Sequence, residues 1–223
     1  MSQNIKCLAM LLDGPLQSWG YMSRFDRRTS LSYPTRSGLI GMLCAAMGID
    51  RADVEGLEQF NSMKITVFIF AQGGRLTDYH TVGGGWDKKT HSQNIVPRTN
   101  GKPSDDAVIT YREYLEDSKF GVILQDNLKQ IEKIAEALKE PKWGIWFGRK
   151  SCIPASPVYQ GIFDDMESAL PHLKMRSGQS EILKYVCEVD TFEKGKDTLM
   201  VEAIDFKKRI FAPKRVLTNS WSE

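Results

Sequence analysis

Long hydrophobic runs are absent from this sequence of 223 residues, and their absence limits what the protein can be. No apolar stretch approaches the roughly 20 residues that a membrane-spanning helix needs. The N-terminus also lacks the basic lead-in, apolar stretch and small-residue cleavage site of a secretory signal. The sequence therefore predicts a cytoplasmic protein that makes no contact with a membrane.

Cysteine and histidine are scarce, which argues against a metal centre. The four cysteines are far apart, and no two have the spacing of a zinc knuckle: Cys7, Cys44, Cys152 and Cys187. Most of them lie inside apolar runs, so we expect buried free thiols. Three histidines, His80, His91 and His172, do not support a histidine metal cluster. The glycines at 83–85 lack the Lys-Ser/Thr ending and following helix of a nucleotide-phosphate loop, so we expect no cofactor.

Charge of one sign is not in large excess either. The net charge of +2 and the pI of about 8.3 do not by themselves indicate a nucleic-acid partner. Hydrophobic residues make up 41% and charged residues 26% of the chain, as in ordinary soluble proteins. The distribution of charge matters more than its sum, and the loop over residues 13–33 is locally basic. It carries Arg24, Arg27 and Arg28, and Arg36 follows it.

Hydrophobic patterns predict an alternation of strands and helices in the first 150 residues. In chain order these are strand 5–12, a helix within 34–48, strand 63–70, strands 108–115 and 119–124, helix 127–139 and strand 143–147. This is the order of a ferredoxin-like (RRM-like) βαββαβ unit in the α+β class. We therefore expect a domain over residues 1–150, followed at 151–223 by a small antiparallel β region with strands near 184–190 and 198–204.

A long polar segment interrupts this unit between residues 71 and 110. Compact domains rarely contain such a loop without a function. Its Asn100-Gly101 step is the preferred tip of a tight hairpin. We expect residues 79–110 to form a protruding hairpin or arm.

The helix within residues 34–48 combines a core face with a polar entrance. Its apolar residues recur at helical spacing: Leu39, Ile40, Leu43, Cys44 and Met47. Gly48 is placed to end the helix as a left-handed cap. Thr35 and Ser37 are both candidate N-caps, and Arg36 and Gly38 stand beside the free amides. Such an entrance either caps an ordinary core helix or binds an anion such as phosphate.

Four further stretches are candidate binding sites. Residues 14–20 (Gly-Pro-Leu-Gln-Ser-Trp-Gly) follow the first strand, so Gln17 and Ser18 could bind phosphate or base edges while Trp19 stacks, and Gly20 permits close approach. The alternative is a tight turn in which Trp19 covers the hydrophobic core.

Residues 78–81 (Asp-Tyr-His-Thr) suggest either base contacts or acid-base catalysis. Adjacent residues of a strand point to opposite faces, so Tyr79 and His80 would not converge on one bond. Thr81 continues the same polar stretch. Arg149 and Lys150 form either a hinge or a phosphate contact, and Lys207-Lys208-Arg209 form a solvated basic face with nucleic-acid contact as the alternative.

Five motifs together resemble the Cas5-type subunits of type I-E CRISPR Cascade complexes, which belong to the RAMP superfamily. They are residues 14–20, 34–41, 78–81, 111–115 and 148–152, and the resemblance extends from residue 8 to about residue 163. It implies a ferredoxin-like domain with a thumb hairpin that matches the arm. It also implies a subunit that grips the 5′ handle of the CRISPR RNA and adjoins the backbone and large subunits, with target DNA indirectly contacted or near the thumb.

The resemblance favours a non-catalytic RNA-binding subunit, because a separate subunit cuts the RNA in type I-E systems. A metal-independent endoribonuclease that uses His80 or His91 with Tyr79 is the alternative, and a scaffold that touches only proteins is a third possibility. The predicted RNA-binding residues are Gln17, Ser18, Trp19, Gly20, Arg24, Arg27, Arg28, Thr35, Arg36, Ser37, Gly38, Tyr79, His80, Thr81, Arg149 and Lys150.

Overall fold

The computed structural model describes residues 4–23, 26–83, 86–87, 92–93, 107–189, 191–195 and 197–220. The helices are α1 (Arg36–Met47), α2 (Val54–Glu58), α3 (Leu128–Lys139) and α4 (Met166–Ser177). The first ten strands are β1 (Ile5–Asp13), β2 (Leu16–Gln17), β3 (Trp19–Gly20), β4 (Arg27–Arg28), β5 (Ser30–Leu31), β6 (Lys64–Ala71), β7 (Arg75–Val82), β8 (Trp86–Asp87), β9 (Ser92–Gln93) and β10 (Val108–Glu116). The remaining strands are β11 (Lys119–Asn127), β12 (Tyr159–Phe163), β13 (Lys184–Glu188), β14 (Asp197–Asp205) and β15 (Ile210–Ser220).

A seven-stranded antiparallel sheet in the order β12-β1-β11-β6-β13-β15-β14 organises the fold. Its interior strand β1 is buried on both faces, which explains why its sequence is almost continuously apolar. Alternate residues of β1 pack on the side of α1 and α3: Leu8, Met10 and Leu12. The residues between them pack on the side of α4: Cys7, Ala9 and Leu11. The predicted mixture of helices with antiparallel strands is confirmed.

Helix α1 begins and ends where the sequence predicts. The Thr35 hydroxyl accepts a hydrogen bond from the Gly38 amide at 3.1 Å, and Gly48 adopts a φ of 73° beyond the last turn. Leu39 and Leu43 are fully buried against the sheet. A terminal cap on each side and an apolar face between them are sufficient to specify this helix.

The predicted strand over residues 143–147 is wrong. This stretch is an irregular loop, since Gly144 and Gly148 have φ values of 102° and 94° that interrupt an extended chain. The strand beside β1 is β12, later in the sequence. Helix α4 was not predicted, because Pro171 lies inside it. Proline removes only one hydrogen bond there, and burial of the apolar face of α4 against the sheet compensates for the loss.

The C-terminal strands are antiparallel, as predicted, and they extend the same sheet. β13 pairs directly with β6, and β15 then joins β13 to β14. Strands from residues 1–150 and from residues 151–223 therefore share one hydrogen-bonded sheet. The division of the chain into two parts at residue 150 remains a prediction.

In the region of the predicted arm, β7 and β10 pair as antiparallel strands, and we call this pair the hairpin. That it belongs to a protruding arm remains a prediction. Eight residue pairs join these strands, from Val82 opposite Val108 to Arg75 opposite Leu115. The hairpin thus begins a few residues earlier and ends later than the predicted range of 79–110. The Asn100-Gly101 step lies outside the described residues.

Arg36 ties α1 to the C-terminal strands through a buried ion pair. Its Nη1 donates to the Glu188 carboxylate at 2.7 Å and to the Met63 carbonyl at 2.9 Å. Its Nη2 donates to the Phe60 carbonyl at 2.7 Å and lies 3.6 Å from Glu202. Burial raises the pKa of Glu188, and the nearby Arg36 guanidinium acts in the opposite direction.

We predict that Arg36→Met lowers the free energy of unfolding by about 3–5 kcal/mol in urea titrations, because it leaves the Glu188 carboxylate buried without its partner. Without the guanidinium the folded pKa of Glu188 rises further above its unfolded value. Protonation then favours the folded state, so the deficit narrows as the pH falls from about 8 towards about 5.

The double variant Arg36→Met with Glu188→Gln is the control, since it buries no uncompensated charge. It should recover part of the lost stability. A change below about 1 kcal/mol in the single variant would contradict a structural role for this pair.

Candidate nucleic-acid interface

The polar residues of the 14–20 loop are turned into the protein. The Gln17 amide nitrogen donates to the carbonyls of Leu12 at 3.1 Å and Ser118 at 2.7 Å. Its amide oxygen accepts from the indole nitrogen of Trp19 at 3.1 Å. The Ser18 hydroxyl donates to the Glu113 carbonyl at 3.0 Å. These bonds use both amide protons of Gln17 and one acceptor position of its amide oxygen within the fold.

Trp19 is fully buried and connects three segments that are distant in sequence. Its ring lies 6.1 Å from that of Phe147, between centroids. A Cβ atom added to Gly38 would lie 2.8 Å from the indole, so the helix can approach Trp19 this closely only with glycine at that position. The Ser18 amide donates to the Phe147 carbonyl at 3.0 Å. The 14–20 loop, the start of α1 and the 147–152 loop therefore form one packed junction.

The burial of five predicted RNA-binding residues contradicts their assignment to RNA contact. They are Gln17, Ser18, Trp19, Thr35 and Arg36. Trp19 has no surface on which a base could stack, and the guanidinium of Arg36 is enclosed by carbonyls and carboxylates. In this structure the five residues position the surrounding loops and helix. Gly20, Ser37 and Gly38 retain exposed surface beside them, and Arg24 lies outside the described residues.

The strands β4, β7 and β10 carry the exposed set of residues that we call the hairpin face: Arg27, Tyr79 and Tyr111. The two tyrosines lie opposite each other in the sheet, with ring centroids 5.6 Å apart in an edge-to-face arrangement. Tyr79 is 59% exposed and Tyr111 is 39% exposed. The Arg27 guanidinium lies 5.6 Å from the centroid of the Tyr111 ring. Exposed rings beside a cation can stack bases and hold phosphate.

His80 lies on the other face of the same hairpin. It is opposite Thr110, one residue along β10 from Tyr111, so its side chain and that of Tyr79 project to opposite sides. His80 Nδ1 lies 3.4 Å from the Asp78 carboxylate. Thr81 is exposed and shares the side of Tyr79. The structure thus places the Tyr79 and His80 side chains on opposite faces of the hairpin.

The Arg149 side chain contacts the backbone of Arg28 and the ring of a tyrosine in the hairpin strand β10. Arg149 Nη2 donates to the Arg28 carbonyl at 3.1 Å, and its guanidinium lies 4.5 Å from the centroid of the Tyr114 ring. Arg149 Nη1 is buried and has no hydrogen-bond partner among the described residues. Arg149 is therefore largely committed to the fold, whereas its neighbour Lys150 is exposed.

A cleft of about 630 Å³ opens beside α1, and we call it the helix cleft. One side is α1 and the residues after it, the second is the 143–150 loop, and the third is the turn between β14 and β15. Its lining residues are Ser37, Gly38, Gly41, Met42, Cys44, Ala45, Ile49, Arg51, Trp143, Trp146, Gly148, Lys150, Phe206, Arg209 and Phe211. Burial raises the pKa of Cys44 to about 12, so it lines the cleft as a neutral thiol.

Only three of the predicted site residues line this cleft, namely Ser37, Gly38 and Lys150. Sequence reasoning missed Trp143 and Trp146 because it assigned them to a strand. The basic run Lys207-Lys208-Arg209 was the one sequence feature that indicated part of this lining. Nothing in the sequence indicated that this run would meet the two tryptophans.

The described residues contain no group of three or more histidine, cysteine or acidic side chains placed to bind a metal ion. Among the helices in the described part of the chain, none is long and apolar enough to cross a membrane.

Comparison with known proteins identifies the class to which this fold and these motifs belong. The profile of the family described as CRISPR-associated protein (Cas_Cas5) matches residues 7–217. The chain therefore belongs to the Cas5 family of CRISPR-associated proteins, and the resemblance drawn from its motifs is confirmed.

The chain is also similar to individual members of this group. It is 31% identical over 166 residues to the CRISPR system Cascade subunit CasD of Escherichia coli (strain K12), and the match covers 69% of this chain and 70% of that protein. A solved chain described as "CRISPR RNA-guided surveillance complex" has a TM-score of 0.73 and 27% identity, covering 96% of this chain and 89% of that chain. Another, described as "Crystal structure of Cas protein", has a TM-score of 0.65 and 27% identity, covering 96% and 94%.

We predict that Gly148→Ala destabilises the protein by separating the 14–20 loop from the 147–152 loop. A Cβ atom there would overlap the Ser18 carbonyl oxygen. Gly178→Ala is a matched control, since Gly178 also has a positive φ of 69° but nothing lies within 4 Å of its added Cβ. The difference in unfolding free energy between the variants should be about 1–3 kcal/mol by chemical denaturation. Equal losses in the two variants would show that the loops are not tightly docked.

Proposed function

We propose that this Cas5-family protein is a non-catalytic RNA-binding subunit of a type I-E Cascade surveillance complex. In this role it grips the 5′ handle of the CRISPR RNA and caps one end of the backbone filament used in antiviral DNA targeting. Its partners are the CRISPR RNA, the backbone subunit and the large subunit, with target DNA indirectly contacted or near the hairpin. The complex acts in the cytoplasm.

The extent of the similarity supports this proposal. The relative from Escherichia coli is named as a Cascade subunit, and the chain described as part of an RNA-guided surveillance complex aligns over nearly all of this protein. The strand order β12-β1-β11-β6, with α1 and α3 as the connecting helices, agrees with a ferredoxin-like βαββαβ arrangement. We assign the β7–β10 hairpin to the thumb that the resemblance implies.

The hairpin face is the observation that carries the RNA-binding role. Tyr79 and Tyr111 expose rings at the point where Arg27 supplies a cation. Single-stranded RNA is bound by stacking of bases on such rings and by charge contacts along its backbone. A scaffold that touches only proteins would not require this combination.

The separation of Tyr79 from His80 supports the non-catalytic form of the proposal. A general acid and a general base must both reach the reacting phosphodiester. The hairpin places these two side chains on opposite faces, and His91 lies outside the described residues. Endoribonuclease activity is therefore the second candidate.

We predict that Tyr79→Ala weakens the affinity for handle RNA by about fivefold to 150-fold, the range for the loss of one stacked base. Arg27→Ala should weaken affinity and also lower the slope of log affinity against log salt by about 0.7, as expected for one lost phosphate contact. Both are measured by titration of labelled handle RNA at several salt concentrations.

Lys139→Ala is the matched control for the arginine variant. Lys139 also places a cation over a tyrosine ring, 4.7 Å from the centroid of Tyr159, but on α3 and away from the hairpin. The affinity of the Lys139→Ala variant for handle RNA should equal that of the wild type. If Arg27→Ala and Tyr79→Ala also bind handle RNA with unchanged affinity, the hairpin face is not the RNA site.

We predict that the purified protein leaves CRISPR repeat RNA intact during prolonged incubation in EDTA, as judged by denaturing gel electrophoresis. Site-specific cleavage that disappears in His80→Ala and persists in His172→Ala would instead establish the endoribonuclease. His172 is the appropriate control because it packs against Phe163, with ring centroids 5.3 Å apart, far from the hairpin in sequence.

A further inference from the structure

The helix cleft combines aromatic surface with positively charged side chains. Trp143 is 47% exposed, and Trp146 lies beside it with Lys150 Nζ 5.9 Å from the centroid of its ring. Phe206 and Phe211 add an edge-to-face pair with centroids 6.3 Å apart.

The charged lining residues are all cations: Arg51, Lys150 and Arg209. No acidic side chain is among the described residues that line the cleft. Neither Arg51 nor Arg209 forms an ion pair within the described part of the chain. The cleft therefore favours a ligand that is both planar and anionic.

The sides of the cleft are held in place before any ligand arrives. The Lys142 amide donates to the Ala46 carbonyl at 2.8 Å, and the Trp143 amide donates to the Ala45 carbonyl at 3.2 Å. These bonds fix the tryptophan loop to the last turn of α1. On the opposite side the Lys208 amide donates to the Asp205 carboxylate at 2.8 Å, which orders the turn that carries Arg209. A site formed in this way loses little conformational freedom when it binds.

Gly41 supplies an independent indication of a ligand. It lies in the interior of α1, where glycine costs about 0.5–1 kcal/mol relative to alanine. The nearest atom that an added Cβ would meet is the Phe206 ring carbon Cζ, at an ordinary contact distance of 3.7 Å. Packing within the protein therefore does not require glycine here, in contrast to Gly38, which Trp19 crowds. Close approach of something outside the fold is a physical reason to keep this position free of a side chain.

We propose that the helix cleft binds one unpaired nucleotide of single-stranded RNA. The base stacks on the indoles of Trp143 and Trp146, and the adjoining phosphates are held by Arg51, Lys150 and Arg209. The cleft volume of about 630 Å³ is in the range of small-molecule sites, about 300–1,000 Å³. This inference rests on the proposed RNA-binding function, but it concerns a site distinct from the hairpin face.

The residues that line the cleft also predict that this site does not distinguish one base from another. Ser37 is the one neutral hydroxyl or amide side chain among the described lining residues. Discrimination between bases needs several hydrogen bonds to their edges, whereas stacking accepts any base. The cleft therefore requires a ligand that carries a base, but it accepts any base.

The test uses the full chain and an unstructured RNA of eight nucleotides, compared with an abasic strand of the same length. Gly41→Leu projects a side chain into the cleft from a position where an added Cβ atom would meet the Phe206 ring at an ordinary contact distance of 3.7 Å. We expect it to weaken binding of the base-containing strand about tenfold or more and to leave binding of the abasic strand unchanged. Gly41→Ala should have a smaller effect on binding and raise the melting temperature, since alanine favours a helix. Ala155→Leu, an exposed position outside the cleft, is the control for the added bulk.

Tryptophan fluorescence gives a second measurement. Base-containing RNA should quench the emission, and the quenching should decrease in the Trp143→Phe and Trp146→Phe variants. Equal affinities of wild type and Gly41→Leu, or the absence of binding of the eight-nucleotide strand by wild type, would overturn the cleft proposal.

A comparison of handle RNA with a scrambled strand distinguishes the two proposals. If wild type prefers the handle and Gly41→Leu binds both strands with wild-type affinity, the proposed function stands and the cleft proposal fails. If wild type binds both strands alike while Gly41→Leu weakens both, the cleft proposal stands and handle recognition fails.

Discussion

The buried guanidinium of Arg36 is the interaction on which the rest of the structure depends. It accounts for the position of α1 relative to β13 and β14, because a desolvated cation between carbonyls and carboxylates tolerates little displacement. The position of α1 in turn defines one side of the helix cleft and brings Gly38 against Trp19. The same contact links α1 to the C-terminal strands, which join the N-terminal strands through the pairing of β13 with β6. Stability and the shape of the candidate interface therefore have a common origin.

Much of the fold could be predicted because its elements are locally specified. β1 and β6 are short apolar runs, and α1 has a cap on each side, so periodicity and caps were sufficient. The errors arose where tertiary contacts override local signals. The aromatic stretch at 143–147 has the composition of a strand, but its glycines with positive φ make it a loop. Helix α4 tolerates its proline because its other side is buried, which local propensity does not reveal.

The candidate site was predicted less well than the fold, and burial is the reason. Gln17, Trp19 and Arg36 are residue types that bind RNA when exposed, and sequence alone does not distinguish an exposed arginine from one that forms a buried ion pair. Arg27 was identified from the basic loop over residues 13–33 and Tyr79 from the 78–81 stretch, and both side chains are exposed in the structure. The helix cleft could not be predicted, because it joins segments that are more than 50 residues apart in the sequence and come together only in the folded sheet.

The distance along the chain between the partners of the buried ion pair also affects how this protein reaches its native state. Arg36 and Glu188 are separated by 152 positions, so most of the polypeptide must be synthesised before the pair can form. Until then, β6 has a free edge where β13 will later pair. Such non-local closure slows folding and leaves an incomplete sheet open to wrong partners. A nascent chain of this fold is thus most vulnerable to aggregation just before its last strands emerge from the ribosome.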